Sequence, residues 1–172
     1  MKRYPKLTWL ALITLACSAA ANADIQGRIV GYGTYTVTDK YKTFKTPGSI
    51  SGLGRGYLEP PTFTAVTDRI RAKKNGVRFG IVFELTNLPK IQRAKVGIVL
   101  VVKYPPVHKP DGTTSTHFKE SIRMAVRGQD RIISWTGYGF DHDYEVVPGT
   151  WTFEVRSYSR LLCKKDFTVV RN

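Results

Sequence analysis

The sequence predicts an all-β protein, a single immunoglobulin-like antiparallel β-sandwich of about seven to nine strands. Apolar side chains alternate with polar ones in several short segments, Gly and Pro separate these segments, and no βαβ alternation occurs. In Thr150–Arg156, for example, Trp151, Phe153 and Val155 fall on one side of an extended chain. Length and pattern together predict one domain over residues 24–172.

The strands are predicted from this alternation, taken in order along the chain. Val77–Leu88 has the clearest amphipathic period, whereas Ala94–Lys103 is almost continuously apolar, as in a central strand covered on both faces. Trp135 and Trp151 lie in strand patterns and are predicted to be core residues. The other predicted strands are Arg28–Val37, Thr62–Thr67, His117–Val126, Arg131–Tyr138, Thr150–Arg156 and Leu161–Val170.

Three segments between the strands are predicted to be irregular. Thr38–Pro61 is rich in Gly, Ser, Thr and Pro and is expected to be mostly loop or edge, with a flexible loop at Gly52–Gly56. Asp68–Gly76 is expected to be a basic connector. Pro105, Pro106 and Pro110 are expected to end strand pairing, because proline has no backbone N–H.

Residues 1–23 have the three parts of a cleaved secretory signal peptide: a basic start, the apolar stretch Leu7–Ala16 and the small residues Ala21-Asn22-Ala23. The apolar stretch is shorter than the roughly 20 residues that span a bilayer, so cleavage is favoured over a retained anchor. A lipoprotein attached at Cys17 is a further alternative. The sequence therefore predicts an exported protein.

Removal of the signal peptide changes both the charge and the cysteine content. The formal charge of +14 becomes +11 when Lys2, Arg3 and Lys6 are lost. In an exported protein this excess points to anionic polymers of the envelope rather than to nucleic acid, although dispersed charge that only aids solubility is the alternative. Cys163 becomes the one thiol, so no intramolecular disulfide can form; it is predicted to pack as a small hydrophobe, with a dimer bridge as the alternative.

Two basic stretches supply the candidate binding residues. The first interleaves lysines with aromatic rings, a combination that suits sugars, lipid head groups or anionic polymers. The second crowds four cations into the predicted connector. The candidates are Lys40, Tyr41, Lys42, Phe44, Lys45, Arg69, Arg71, Lys73 and Lys74. A solvated loop surface is the alternative for both stretches.

One acidic cluster is the candidate metal site. Asp141, His142, Asp143 and Glu145 bring four donor side chains close together. On an extended strand Asp141, Asp143 and Glu145 would share one face while His142 points away. We therefore predict exposed carboxylates that pair with nearby Arg or Lys, and no metal or other cofactor.

The three histidines, His108, His117 and His142, are predicted to be surface residues. None stands in a nucleophile elbow, and no His-Glu-x-x-His spacing occurs. The sequence therefore does not favour an enzyme.

Several short motifs between Thr67 and Val169 resemble the family catalogued as Domain of Unknown Function 3859. These motifs are Thr67–Ile70, Gly76, Phe79-Gly80, Tyr104-Pro105-Pro106, Pro110-Asp111-Gly112, Ser115-Thr116, Gly137-Tyr138-Gly139-Phe140, Asp143-Tyr144-Glu145, Pro148–Phe153 and Phe167-Thr168-Val169. The resemblance implies an exported bacterial protein, periplasmic in a Gram-negative cell or secreted, with an immunoglobulin-like sandwich. It brings no established activity and no catalytic residues.

We therefore expect a non-enzymatic binding or accessory module of the cell envelope that engages an anionic polymer or a protein partner through its basic loops. One alternative is a structural or chaperone-like protein that pairs its edge strands with another chain. Another is a metal-dependent enzyme that uses Asp141, Asp143 and Glu145. No nucleic-acid partner and no transmembrane segment after signal cleavage are expected, and the sequence leaves the oligomeric state and the strand order open.

Overall fold

Two packed β-sheets form the fold. The computed structural model describes residues 24–36, 41–45, 49–51, 53–57, 61–91 and 93–171, so the predicted signal peptide lies outside the described residues. The strands are β1 (Gln26–Tyr35), β2 (Tyr41–Lys45), β3 (Leu53–Tyr57), β4 (Phe63–Ala65), β5 (Arg69–Ala72), β6 (Arg78–Thr86), β7 (Lys95–His108), β8 (Thr114–Ala125), β9 (Ile132–Tyr138), β10 (Gly149–Ser157) and β11 (Arg160–Arg171). A short 3-10 helix spans Asp143–Glu145. In the described part of the chain, no helix has the length and apolarity to cross a bilayer.

The sandwich consists of a four-stranded sheet in the order β4-β1-β6-β9 and a five-stranded sheet in the order β5-β11-β10-β7-β8. These nine strands confirm the predicted all-β sandwich. Every pairing in the two sheets is antiparallel except that of β5 with β11, which is parallel. Strands β2 and β3 pair with each other in a separate two-stranded sheet.

The core lies between the two sheets and is rich in aromatic rings. Phe79 on β6 is fully buried and faces Phe153 and Phe167 of the opposite sheet, with ring centroids 5.6 Å and 5.2 Å away. Trp151 on β10 is also fully buried, as predicted. Aromatic pairs at such distances add to the free energy gained from burial of their apolar area.

Trp135 lies elsewhere than predicted. It pairs with Val82, on the side of the four-stranded sheet that faces away from the core, and its ring meets the ring of Tyr35 edge to face at 6.2 Å. The period-two pattern of β9 does not say which side of the strand faces the core, because Trp135 is flanked by the small polar residues Ser134 and Thr136.

The prolines of β7 do not end its pairing with β8. The register shifts between Lys103 and Val107, and pairing resumes from Val107 opposite Ser115. The irregularity accommodates Pro105 and Pro106, which have no N–H to donate to the neighbouring strand. The prediction that these prolines terminate the strand was therefore wrong.

Two predicted irregular segments contain strands. Thr38–Pro61 includes the β2–β3 hairpin, and the predicted flexible loop at Gly52–Gly56 overlaps β3. The basic connector Asp68–Gly76 contains β5, where Ile70 and Ala72 are buried and Arg69 and Arg71 are exposed. Alternation within β5 lasts only four residues and sits inside a run of positive charge, so composition concealed it.

Gly33 on β1 provides a test of the close approach between the paired strands β1 and β4. Its φ is +140°, and a Cβ atom there would lie 2.0 Å from the backbone oxygen of Ala65. We expect Gly33→Ala to lower the free energy of unfolding by about 2–4 kcal/mol, because backbone strain and displacement of β4 add together. Chemical denaturation measures the change. Gly112→Ala is the matched control, since Gly112 has φ +80° but no neighbour within 4 Å; equal losses in both variants would show that the contact with Ala65 contributes nothing.

Candidate functional site

The outward side of the five-stranded sheet is strongly basic. Every second side chain of each strand points away from the sandwich interior, and the register brings these side chains together. Eight of them are cations and two are carboxylates, a surplus of six positive charges. We call this surface the basic face. Its charged residues are Arg69, Arg71, Lys95, Lys103, Lys119, Arg123, Arg156, Lys164, Glu154 and Asp166.

Both carboxylates of the basic face already have cationic partners. Glu154 accepts hydrogen bonds from Lys103 Nζ at 2.5 Å and from Arg156 at 2.7 Å. Burial opposes ionisation of Glu154, but these two cations outweigh it and lower the pKa of the carboxyl group. Asp166 accepts a hydrogen bond from Thr152 at 2.7 Å and lies 3.9 Å from Lys164.

The remaining five cations of the basic face lie on β5, β7 and β8. Arg69 and Arg71 lie on β5, Lys95 lies on β7, and Lys119 and Arg123 lie on β8; all five are exposed. No carboxylate of the described residues lies within 4.0 Å of them. These side chains can therefore neutralise a bound anion without first breaking an ion pair.

The structure places the predicted binding residues at different points of the fold. Arg69 and Arg71 lie side by side on the basic face, while Lys73 and Lys74 follow in the turn before β6. Lys74 lies 3.5 Å from Asp143. The first basic stretch lies on the separate two-stranded sheet: Tyr41, Lys42, Phe44 and Lys45 are part of β2, and Lys40 lies outside the described residues.

The acidic cluster does not form the exposed strand face that was predicted. The chain forms the 3-10 helix Asp143–Glu145 at this point. Side chains therefore do not alternate between two faces as they would on an extended strand. Asp141 and Asp143 do pair with cations as expected, Asp141 with Arg78 at 3.6 Å and Asp143 with Lys74 at 3.5 Å. Among the described residues, no group of three or more His, Cys, Asp or Glu side chains is placed to hold a metal ion.

Glu145 is fully buried, contrary to the prediction of a solvated carboxylate. Its Oε2 accepts backbone N–H hydrogen bonds from Asp141 at 2.6 Å and His142 at 3.1 Å. Its Oε1 and the hydroxyl of Tyr138 are buried without a hydrogen-bond partner among the described residues. Burial raises the pKa of Glu145, and the two N–H donors oppose that shift. The buried carboxyl group therefore stabilises the turn through these two hydrogen bonds, at the edge of the aromatic core.

The histidines are exposed, as predicted, although two of them lie on strands. His108 on β7 contacts the Thr114 hydroxyl at 2.9 Å, and His117 lies on β8. His142 precedes the 3-10 helix and stacks on Tyr144 with ring centroids 5.2 Å apart.

Cys163 is partly buried and packs against the core, in agreement with its predicted role as a small hydrophobe. Burial raises the pKa of its thiol to about 11. At neutral pH the thiol is therefore almost wholly protonated, which makes it a poor nucleophile.

Comparison with protein families identifies the chain. The model of the family described as Domain of unknown function (DUF3859) matches residues 26–169. The chain belongs to this family. The sequence motifs that resemble the family, from Thr67 to Val169, all lie within the matched range.

The DUF3859 chain is also similar to a solved structure, that of an immunoglobulin-like protein from Pseudomonas aeruginosa. The two share 23% sequence identity, and the match covers 87% of this chain and 99% of the other, with a TM-score of 0.58. This similarity supports the fold. A search among curated proteins found no match.

Sequence reasoning missed much of the basic face of the DUF3859 chain. Lys119 and Arg123 are separated by uncharged or acidic residues, so they form no basic run. A signal was nonetheless present, because Lys119, Ser121 and Arg123 share strand parity with Lys95 across the β7–β8 pairing. Without knowledge of strand order, these positions could not be joined to Arg69 and Arg71 on β5.

Proposed function

We propose that this DUF3859 protein is a non-enzymatic binding module of the bacterial cell envelope, which holds an anionic polymer against its basic face. The observation that carries the proposal is the surplus of six positive charges on one side of one sheet. The predicted signal peptide supports an envelope location. The proposal moves the binding surface from the predicted basic loops to a surface built by five strands.

The geometry suits an extended polymer better than a small ligand. Neighbouring strands of a sheet lie about 4.8 Å apart, so cations on β5, β10, β7 and β8 form an array along which a chain of anionic groups can lie. Seven of the eight cations on this surface are exposed, so each contact contributes only a modest free energy and affinity must come from many contacts. Such binding depends strongly on ionic strength.

A charge-reversal pair tests the proposal. We expect Lys119→Glu with Arg123→Glu to weaken binding to polygalacturonate about tenfold at low salt. At each of the two positions, an attraction of about 0.4 kcal/mol is replaced by a repulsion of about the same size. Biolayer interferometry with immobilised polygalacturonate measures the affinity, and purified lipopolysaccharide serves as a second probe. Wild-type binding should fall steeply as salt is raised.

The matched control is Lys90→Glu with Arg93→Glu, two exposed cations in the connection between β6 and β7. It changes the net charge by the same amount but leaves the basic face intact. Equal loss of binding in both variants would show that net charge alone is responsible. Absence of wild-type binding to both probes at low ionic strength would overturn the proposal.

A further inference from the structure

The four edge strands of the sandwich differ in how they are protected against pairing with another chain. Strand β4 has three residues and β5 has four, so both are too short to be good templates. Strand β8 is long, but it carries Lys119, Glu120 and Arg123. Strand β9 has seven residues, IISWTGY, with no charge and no proline. Among these edges, β9 alone lacks the usual protections.

The backbone of β9 is regular enough to accept a further strand. Its register with β6 runs unbroken from Ile132 opposite Leu85 to Tyr138 opposite Phe79. In an antiparallel pair every second residue directs both its N–H and its C=O away from the partner strand. No strand of the described residues pairs with that side of β9. The outward Ile133 side chain beside it is 50% exposed.

We propose that β9 is a strand-addition site for an extended segment of an acidic partner protein. Main-chain hydrogen bonds would supply much of the affinity, and an apolar side chain of the added strand would cover Ile133. The net charge of +11 on residues 24–172 disfavours a second copy of this chain and favours a segment with acidic residues at its ends. Beside the start of β9, Arg131 and Arg28 share the single carboxylate of Glu84, at 3.5 Å and 2.5 Å, so one positive charge there remains uncompensated and can attract an acidic residue of that segment.

The probe is a synthetic peptide of alternating Val and Thr residues flanked by glutamates, tested against the whole chain by fluorescence anisotropy. A second peptide has the same sequence with every second amide N-methylated, which removes its donors on one edge. We expect the first peptide to bind and to slow hydrogen exchange of the β9 amides, and the N-methylated peptide to bind at least about tenfold more weakly. Equal binding of the two peptides, or no binding of the first, would overturn the proposal.

Ile133→Lys tests the site from the protein side, because a lysine on an edge strand is a common protection against strand addition. Ile133 is half exposed, so the substitution leaves the core intact. We expect it to weaken peptide binding about tenfold, whereas the control Ile91→Lys, at a residue 71% exposed in the connection between β6 and β7, leaves binding unchanged. Equal effects of the two lysines would refute the site.

Two further outcomes separate this site from the basic face and from self-association. Peptide binding should survive the pair Lys119→Glu and Arg123→Glu, which lies on the other sheet; loss of binding there would assign the peptide to the basic face instead. A dimer that sedimentation detects in the wild type and not in Ile133→Lys would assign the edge to a second copy and overturn the acidic partner.

Discussion

Trp151→Ala is expected to lower the free energy of unfolding by about 3–5 kcal/mol, a large part of the stability of a domain of this size. The indole is fully buried and lies 4.9 Å from the rings of both Tyr104 and Tyr138, centroid to centroid. Its Nε1–H also donates to the Val147 backbone oxygen at 3.1 Å. The substitution therefore leaves a cavity and an unpaired carbonyl oxygen at once. Urea denaturation followed by circular dichroism measures the loss.

Trp151→Phe separates the two contributions. It keeps most of the aromatic volume but removes the hydrogen bond to Val147, so we expect a loss of about 1–3 kcal/mol. Leu161→Ala, at a residue 42% exposed on β11, is the control and should lie within about 1 kcal/mol of the wild type. A loss for Trp151→Ala no greater than that of Leu161→Ala would contradict the central position of the indole.

Glu145→Ala is expected to lower the free energy of unfolding by about 2–5 kcal/mol, because it empties a fully buried site and leaves the N–H groups of Asp141 and His142 without their acceptor. Glu145→Gln keeps an acceptor oxygen for both groups. Its amide can also donate to the Tyr138 hydroxyl, which has no partner among the described residues. We therefore expect Glu145→Gln to have a much higher free energy of unfolding than Glu145→Ala at neutral pH, as measured by thermal or urea unfolding.

The pH dependence of Glu145→Gln follows from the raised pKa of Glu145. A carboxyl group with a pKa raised in the folded state stabilises the fold below its ordinary pKa of 4.5 and loses that contribution as the pH rises through the folded value. The buried Gln has no such loss. The stability of Glu145→Gln relative to the wild type should therefore increase between pH 4 and pH 7. Glu154, whose pKa is lowered, has the opposite effect in both proteins and cancels in the comparison.

Asp143→Asn is the control for this pH series. It makes the same change from acid to amide in the same turn, but the Asp143 side chain is 83% exposed. We expect its stability relative to the wild type to change little over the same range. A difference between Glu145→Gln and wild type that does not vary with pH would contradict the raised pKa.

The sandwich itself could be predicted because its strands carry their signal locally. Phe79, Ile81, Phe83 and Leu85 alternate with less apolar residues, and all four are fully buried on one side of β6. Trp151 and Phe153 follow the same rule on β10. Period-two alternation is a direct consequence of one buried and one solvated face, so it survives in the sequence alone.

The elements that escaped prediction depend on distant partners. Strand β5 is defined by its parallel pairing with residues nearly one hundred positions later, Arg69 opposite Thr168 and Arg71 opposite Val170. The burial of Glu145 depends on a change from extended to 3-10 conformation, which makes strand parity inapplicable at Asp143. The basic face joins five strands whose order only the fold reveals. Local patterns carry none of this long-range information.

The position of β11 sets a limit on when the protein can fold during its synthesis. Residues 160–171 lie between β10 and β5 in the five-stranded sheet, and Lys165 of this strand also sits over the ring of Tyr32 on β1. The ribosome adds this strand after all the others described, so until then β5 lacks its pairing partner. The nascent chain therefore has an incomplete sandwich until β11 has been made, which keeps it open to chaperones and to any machinery that requires an unfolded substrate.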